Sequence, residues 1–256
     1  MKITIITPVY NGEIMIKSCI DSVLNQTYQN IEYIIMDANS KDATIDIIKQ
    51  YPQEKIKLIS EKDKGSCDAL NKGIALATGD VVCFLCADDM YAHKDVIKKV
   101  AETFNSDQKI DIVYSDIVYV NKDKIEKVER YWKSSPFKKG MYSKGWLPPH
   151  TSLFIKREAL KKYGTFNINF KFASDVDLSF RLFEIHQLKS FYIPEVLVKM
   201  RSGGVSNSSI KNMYKSLKDC YDVFKSHNIK WPIMYIFRTI IYRANHVIKS
   251  YKVKNV

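Results

Sequence analysis

Residues 81–90 have the sequence VVCFLCADDM, in which an apolar run of strand length ends in two adjacent carboxylates, Asp88 and Asp89. Carboxylates are rarely buried unless they are paired or bind a metal, so this strand end predicts either a ligand site or a helix cap. In open α/β sheets, ligands bind outside the carboxyl ends of the strands. A ligand site would therefore use both acids, whereas a helix starting near His93 or Lys94 would use one of them as its cap.

Other segments of the first half alternate between two apolar patterns. Apolar, β-branched runs predict further strands at residues 2–7, 31–36, 56–59 and 110–114. Helical spacing of apolar residues predicts helices at residues 14–24, 43–49, 67–77 and 94–104. Strands that alternate with helices in this way predict an α/β fold with a mainly parallel central sheet and flanking helices.

The alternation of strands and helices stops near the middle of the chain, which predicts three parts. Residues 1–115 form the α/β half. Residues 116–206 form a second half of the same domain, with a predicted hairpin at 117–131. Residues 207–256 form a helical, basic and amphipathic C-terminal extension.

The composition is that of a globular protein with an excess of basic residues. The 256 residues carry a formal net charge of +12, which favours an anionic partner such as a nucleic acid, a membrane surface or a phosphorylated substrate. The five cysteines are scattered and odd in number, so no disulfide framework is predicted, and Cys83 and Cys86 are interpreted as core residues. We expect no signal peptide and no membrane-spanning helix, hence a cytoplasmic location.

Side chains suited to a nucleotide follow three of the predicted strands. Parallel strands place their carboxyl ends on one edge of a sheet, so these side chains are predicted to meet there. An aromatic face suits a base, an acceptor suits the imino N–H of a pyrimidine, and paired carboxylates suit Mg²⁺ or Mn²⁺ bridging a diphosphate. Each residue alone is equally consistent with a packed aromatic, a turn or a solvated charge. The candidates at the three strand ends are Pro8, Tyr10, Asp37, Asp88 and Asp89, and Lys64 adds a positive charge in the next crossover loop.

Five strings in the first half carry a more specific pattern. They are TPVYNG at residues 7–12, SVLNQTY at 22–28, SEKDKG at 60–65, DALNKG at 68–73 and ATGD at 77–80. In content and order these strings resemble the family-2 inverting glycosyltransferases of bacterial polysaccharide synthesis. The resemblance implies a GT-A fold, which is Rossmann-like, a nucleotide-sugar donor, and a divalent metal at the DXD-like carboxylates.

The resemblance also implies a role for each candidate residue. Pro8 and Tyr10 would border the nucleoside, and Asp37 would hold the base. Asp88 would lie by the ribose or donor sugar, and Asp89 would ligate Mn²⁺ or Mg²⁺. The first half would then bind the nucleotide sugar, while the second half would bind the acceptor and supply the catalytic base.

The sequence departs from the family pattern in two places. Residues 37–44, DANSKDAT, lack the glycines that the family usually carries there. Ala87 replaces the first polar residue of the carboxylate triplet, which leaves metal binding to Asp89 alone. His150 lies close to where relatives carry a histidine, and residues 201–206 resemble a family loop near the diphosphate and predict a lid.

A second acidic segment, ASDVDLSFR at residues 173–181, contains the candidate base. Inversion by single displacement needs a base that takes the proton of the acceptor hydroxyl as it attacks the anomeric carbon. Asp175 and Asp177 are two residues apart and do not share a helix face, so one is expected to face the cleft and the other to cap or pair. The family pattern implies that Asp175 is the base and Asp177 is structural. The alternative is that both merely begin a helix, where acids are favoured.

The expected activity is transfer of a hexosyl or N-acetylhexosaminyl group from a nucleotide-diphosphate donor, with UDP-sugars favoured, to a glycan or lipid-linked glycan. The metal and Lys64 would stabilise charge on the departing diphosphate. A sugar nucleotidyltransferase is the alternative enzyme, but residues 8–12 lack its Gly-rich, basic phosphate loop. A basic nucleic-acid-binding module is the other alternative, although strand-end acids would repel phosphates, so no nucleic-acid partner is expected.

The C-terminal segment is basic and amphipathic. Residues 228–256 contain no Asp or Glu. Apolar residues recur there at helical spacing, at Ile233, Ile236, Phe237, Ile240, Ile241, Ala244, Val247, Ile248 and Tyr251. This pattern favours peripheral contact with an anionic membrane, at the inner face of the cell membrane, where the acceptor would be a lipid-linked glycan. A helix that docks on the domain and exposes a basic face is the alternative.

Overall fold

The structure, a computed structural model, describes residues 1–203 and 209–253, with side chains described to residue 242. The helices are α1 (Ile16–Leu24), α2 (Thr44–Lys49), α3 (Ser66–Leu76), α4 (Val96–Ser106), α5 (Arg157–Tyr163), α6 (Ser174–Phe180), α7 (Ile210–Ser226) and α8 (Pro232–Val253). The strands are β1 (Ile3–Val9), β2 (Ile31–Asp37), β3 (Ile56–Ser60), β4 (Val81–Phe84), β5 (Met90–Tyr91), β6 (Ile112–Val120), β7 (Val128–Trp132), β8 (Phe154–Lys156) and β9 (Ser190–Arg201). Short 3₁₀ turns cover Tyr142–Lys144 and His150–Ser152, and a π-helical turn covers Arg181–Ile185.

The described strands form one mixed sheet with helices packed against it. The strand order is β3-β2-β1-β4-β8-β6-β9-β5, and β7 pairs with β6 outside this path. β1 to β4 pair in parallel, as predicted, and β1 and β4 are buried along their whole length. Such continuously apolar strands suit a sheet that is covered on both faces.

The register of the parallel strands places the carboxyl ends of β1, β2 and β3 at one level. Val9 at the end of β1 pairs with Asp37, and Asp37 pairs with Ser60 at the end of β3. β4 ends at Phe84, which pairs with Ile6. The predicted convergence of these strand ends on one edge of the sheet is therefore present in the structure.

The sheet departs from a simple parallel order beyond β4. β8 lies between β4 and β6 and runs antiparallel to both, so the predicted strand at residues 110–114 does not adjoin β4. That strand is also longer than predicted, because β6 continues to Val120 and forms the predicted hairpin with β7. β9 then pairs in parallel with β6.

The helix after the two carboxylates starts later than predicted. α4 begins at Val96, with Asp95 at its N-cap position. Asp88 and Asp89 lie before β5 and do not cap this helix, so the cap interpretation of these acids was wrong. The helix that begins at Ser174 is α-helical only to Phe180 and continues as a π-helical turn.

The two C-terminal helices pack on the second half of the domain. The ring of Phe224 in α7 lies 5.1 Å from Tyr235 in α8 and 5.4 Å from Phe180 in α6. Arg238 Nη1 donates a hydrogen bond of 2.7 Å to the carbonyl of Ser143. The first turns of α8 therefore dock on the domain, as in the alternative considered from the sequence. No helix in the described part of the chain is long and apolar enough to cross a membrane.

Replacement of Gly145 by alanine is expected to unseat α8. A Cβ at Gly145 would lie 2.3 Å from the carbonyl oxygen of Arg238, whereas a Cβ at Gly140 would have nothing within 4 Å. Both glycines have nearly the same positive φ, +87° and +86°, so the two alanine variants carry the same backbone strain. In urea denaturation we expect Gly145→Ala to lose about 1–3 kcal/mol more unfolding free energy than Gly140→Ala. Equal losses in the two variants would contradict the docking.

Candidate active site

A cleft runs along the carboxyl edge of the parallel strands. Its first part has a volume of about 400 Å³ and is lined by the end of β1, including Pro8 and Tyr10, and by Gly65 and Ser66. Its second part, of about 480 Å³, is also lined by Gly65 and Ser66 and extends to Asp175. The two parts therefore adjoin at Gly65 and Ser66, at the start of α3.

Of the residues predicted to contact the nucleoside, Tyr10 lines the cleft and Asp37 lies in the core. Tyr10 is 62% exposed, so its ring is available to a ligand. Asp37 is buried and accepts hydrogen bonds from Ser60 Oγ, at 2.5 Å, and from the Ser40 N–H, at 3.1 Å. The next residue, Ala38, lines the cleft in its place. The carboxylate of Asp37 thus holds the turn after β2, and its predicted contact with a base stays a prediction.

Asp89 is a buried carboxylate without a hydrogen-bond partner. Both of its oxygens are enclosed, and neither accepts a hydrogen bond from the residues that the structure describes. Burial, and then the charge of Asp88, raise the pKa of Asp89 well above its usual value, although Arg201 partly opposes them. Because an isolated buried charge is costly, the site favours either a proton or a cation at this position.

The atoms around Asp89 fit a divalent cation. The Cys86 sulfur and one carboxylate oxygen each from Asp88 and Asp89 lie within 4.8 Å of one another. Carboxylate oxygens suit Mg²⁺ and Mn²⁺, while the softer thiol does not. Cys83 is buried as expected, but Cys86 is only partly buried and lines the second part of the cleft, so its interpretation as a core residue was wrong.

Arg201 fixes the loop that carries the two carboxylates. This residue ends β9 and is almost fully buried. Its Nη1 donates to the carbonyl of Asp88 at 2.7 Å, and its Nη2 donates to Ser18 Oγ at 3.0 Å. The predicted lid covered residues 201–206. The side chain of its first residue, Arg201, is buried and bonded within the protein, and residues 204–206 lie outside the described residues.

Lys64 lies at the rim of the cleft before α3. Its side chain is exposed and lines the second part of the cleft, while its backbone N–H donates to Asp68 at 3.0 Å. From this position the ammonium group of Lys64 can reach a ligand that spans both parts of the cleft. Its stabilisation of charge on a departing diphosphate stays a prediction.

Asp175 faces the cleft together with His150. Asp175 lies in the first turn of α6, and its Oδ2 is 3.3 Å from His150 Nδ1. About a third of each side chain is exposed, and both residues line the cleft. A carboxylate beside an imidazole in an accessible cleft can accept a proton from a bound hydroxyl. Sequence reasoning gave His150 no role, although its place after two prolines marked it as a fixed turn.

Asp177 points into the protein and anchors the helix of Asp175. Its Oδ1 lies 2.8 Å from His227 Nε2, and its Oδ2 accepts from Arg181 Nε at 2.9 Å. Arg181 also donates to the carbonyls of Tyr163 and Thr165. These bonds tie α6 to the end of α7 and to the loop after α5, so they fix the position from which Asp175 faces the cleft.

Comparison with known proteins now assigns the chain to a family. Residues 4–164 match the family described as Glycosyl transferase family 2. The chain belongs to this family. A PGL/p-HBAD biosynthesis glycosyltransferase of Mycobacterium tuberculosis is 26% identical over 211 residues, covering 81% of this chain and 80% of the relative. A glycosyltransferase of Rickettsia typhi is 30% identical over 204 residues, covering 78% of this chain and 63% of the relative.

Solved structures show the same fold. The mannosyltransferase PcManGT from Pyrobaculum calidifontis, in complex with GDP-Man and Mn²⁺, matches with a TM-score of 0.66 at 18% identity, over 95% of this chain and 73% of that one. S. aureus TarS in complex with UDP-GlcNAc matches with a TM-score of 0.62 at 14% identity, over 96% of this chain and 93% of that one. The predicted GT-A fold and glycosyltransferase class of this family-2 member are confirmed.

The bonds from His227 and Arg181 to Asp177 predict that the stability of the protein depends on pH. Burial alone would raise the pKa of Asp177, but the hydrogen bond from His227 and the charge of Arg181 outweigh it and hold the pKa below its usual value. The stabilisation is therefore present above about pH 4 and is lost as the pH falls through the lowered pKa. We expect Asp177→Asn to lose about 3 kcal/mol of unfolding free energy at neutral pH. In acid, the unfolding free energies of the variant and the wild type should converge.

The control for this measurement is Asp222→Asn. Asp222 pairs with Lys218 on the exposed face of α7, one helical turn away. An exposed pair of this kind contributes little, so its removal should leave the pH profile unchanged. If the difference in unfolding free energy between wild type and Asp177→Asn stayed constant from neutral to acid pH, it would contradict a stabilising role for the charge of Asp177.

Proposed function

We propose that this family-2 glycosyltransferase inverts the anomeric carbon as it moves a sugar from a nucleotide-diphosphate donor to a glycan or lipid-linked glycan. The observation that carries the proposal is the second part of the cleft, which reaches from Cys86, beside the carboxylates, to the Asp175–His150 pair. A donor in this groove would place its diphosphate near one acidic group and its anomeric carbon near the other.

A UDP-sugar is the favoured donor. TarS, one of the structural neighbours, is described with UDP and with UDP-GlcNAc, and another neighbour with GDP-Man. In this chain the nucleoside would lie against Pro8 and the exposed ring of Tyr10, with residues 1–115 forming the donor half and residues 116–206 the acceptor half. The sugar, a hexosyl or N-acetylhexosaminyl group, would enter the part of the cleft walled by Phe84 and Phe166, whose ring centroids are 4.9 Å apart.

Mn²⁺ or Mg²⁺ would be held by Asp89, with Asp88 beside it. The buried, unpartnered carboxylate of Asp89 supports this assignment, because a cation would offset its cost of burial. When bound, the metal supplies neutralisation of charge on the donor diphosphate. Lys64, at the rim of the cleft, adds a second positive charge to that end of the groove.

Asp175 would act as the general base of a single displacement. Its carboxylate takes the proton of the acceptor hydroxyl while that oxygen forms its bond to the anomeric carbon. The bond from the anomeric carbon to the diphosphate oxygen breaks, and its electron pair leaves with the nucleoside diphosphate. His150 holds the carboxylate in position, and the bonds of Asp177 hold the helix that presents it.

Two variants separate donor binding from proton transfer. UDP with Mn²⁺ is expected to raise the Tm of the wild type by about 2–5 °C, as a ligand that binds only the folded state does. Asp89→Asn should lose this shift, because the variant lacks the anionic ligand. Asp175→Asn should keep the shift but release UDP from UDP-sugars at least about 100-fold more slowly, because the base is gone.

Each variant is the control for the other, and Asp46→Asn on the exposed surface of α2 controls for loss of an acid elsewhere. Without ligand, Asp89→Asn should melt close to the temperature of the wild type, because the amide is as neutral as the protonated acid that burial favours. The absence of a shift with any nucleoside diphosphate would contradict donor binding. Undiminished UDP release by Asp175→Asn would contradict its role as base.

We also propose that the outer faces of α7 and α8 contact an anionic membrane surface, at the inner face of the cell membrane. Each helix carries an exposed apolar stripe at helical spacing, although the inner face of α8 docks on the domain. The stripes are Ile210, Met213, Tyr214 and Leu217 on α7, and Ile233, Phe237, Ile240 and Ile241 on α8. Lysines flank the first stripe, and residues 228–256 add basic charge without any acid, which complements anionic lipid.

Cosedimentation with lipid vesicles tests this contact. The wild type is expected to pellet with vesicles that contain phosphatidylglycerol, less so in high salt, and to stay in solution with phosphatidylcholine alone. The double variant Phe237→Ser/Ile241→Ser should lose most of the binding. Ile14→Ser removes an apolar side chain that is 82% exposed at another surface and should leave binding intact. Equal binding to both lipids, or by the double variant, would contradict the proposal.

A further inference from the structure

Cys86 lies beside the two carboxylates, at the start of the turn that carries them. Its sulfur and one oxygen each from Asp88 and Asp89 lie within 4.8 Å of one another. The side chain is partly buried and lines the second part of the cleft, so a small ligand that enters the cleft can reach it. The sulfur therefore belongs to the same group of atoms as the carboxylate oxygens to which the proposed function assigns a cation.

The backbone of this turn is fixed before any ligand binds. The Asp89 N–H donates to the carbonyl of Cys86 at 2.9 Å, which closes the turn and brings its first and last residues together. The thiol of Cys19 donates to the same carbonyl at 3.5 Å, and Arg201 donates to the carbonyl of Asp88 at 2.7 Å. A site that is held in place in this way loses little conformational entropy when it binds an ion.

The spacing of the three atoms suits ligation of one ion. Sulfur at about 2.3 Å and oxygen at about 2.1 Å from a metal lie up to about 4.4 Å apart, so movements of about 1 Å or less would bring the three atoms around one ion. Both oxygens of Asp89 are enclosed and have no hydrogen-bond partner among the described residues. No hydrogen bond that the structure describes has to break before this carboxylate turns to a cation.

A sulfur ligand differs from a carboxylate in the cations that it binds best. Thiolates favour Zn²⁺ and Co²⁺, whereas Mg²⁺ prefers oxygen ligands in a regular octahedron. Burial and the charges of Asp89 and Asp88 raise the pKa of the Cys86 thiol well above its usual value, so the thiol keeps its proton until a cation replaces it. That proton leaves to water as the sulfur–metal bond forms.

We propose that Cys86 is a ligand of the cation at Asp89, and that its sulfur makes the site prefer divalent cations that accept sulfur, such as Co²⁺ and Zn²⁺, over Mg²⁺. The two carboxylates supply the charge that attracts any divalent cation, and Cys86 is the specificity-determining residue. The inference rests on the proposed function in one respect, which is that a divalent cation binds at Asp89.

Absorption spectra of the full chain with Co²⁺ and UDP test for a sulfur ligand. A thiolate bound to Co²⁺ gives a charge-transfer band in the near ultraviolet that carboxylates do not give. We expect this band in the wild type and in Cys67→Ser, and its loss in Cys86→Ser and Asp89→Asn. Cys67 is a matched control, because it lines the same part of the cleft and is also partly buried. The absence of the band in the wild type, or its persistence in Cys86→Ser, would overturn the proposal.

The preference among cations is measured by thermal shift with UDP, as the cation concentration that gives half of the full shift. The wild type is expected to need at least about tenfold less Co²⁺ than Mg²⁺. Cys86→Ser should lose most of this preference, and Cys86→Asp should bind Mg²⁺ better than the wild type does, because a third carboxylate replaces the sulfur. Comparison between variants removes the affinity of UDP itself for each cation. An unchanged preference in Cys86→Ser would overturn the role of Cys86.

The same measurements separate failure of this inference from failure of the proposed function. If no divalent cation shifts the Tm of the wild type with UDP, the cation site at Asp89 fails, and the role of Cys86 fails with it. If Mg²⁺ and Co²⁺ act equally and no charge-transfer band forms, the cation site stands and only the role of Cys86 is overturned. The wild-type spectrum and its cation preference decide this outcome even if a variant fails to fold.

Discussion

The parallel register of the first four strands is the constraint on which the rest of this molecule depends. It places Val9, Asp37 and Ser60 at one level of the sheet. Every loop that leaves those strands therefore opens on the same groove, and residues far apart in sequence line it together. A shift of one strand by a single residue would turn its side chains to the opposite face of the sheet. The buried, β-branched sequence of these strands opposes such a shift, so the groove is set by packing in the core.

Two buried acids of this domain, Asp177 and Asp89, differ in whether other side chains compensate their charge. Asp177 has two cationic or imidazole partners and joins three elements of the fold, whereas Asp89 has no hydrogen-bond partner among the described residues. The first arrangement stabilises the native state, and the second costs stability unless a proton or a cation neutralises the carboxylate. Proteins commonly retain such costs where a ligand binds, because the strain is relieved in the bound state. The contrast between these two acids marks Asp177 as structural and supports the proposal that Asp89 binds a cation.

The sequence predicted most of the first half of the fold and less of the second. Apolar runs such as residues 2–7 and 31–36 could be predicted because a buried parallel strand leaves a continuous local signal. The antiparallel insertion of β8 could not, because its three residues carry no pattern of their own and their neighbours are set by tertiary pairing. The placement of Tyr10 and Asp89 after strands that end on one edge of the sheet followed from strand order, and the exposure of Asp175 to the cleft agreed with the family pattern. The burial of Asp37 and the contact of His150 with Asp175 depend on side-chain packing that spacing alone does not specify.

The hydrogen bond between Asp177 and His227 has a consequence for how this family can vary. The matched family region ends at residue 164, before the helix of Asp175, yet that helix is held by a histidine some fifty residues further along the chain. The segment beyond the shared region is therefore part of the scaffold of the proposed acceptor side. A chain in which that segment is exchanged for another must supply a new partner for the same inward-facing acid. In this chain, exchange of the C-terminal helices and retention of the proposed acceptor side are thus coupled through one imidazole ring.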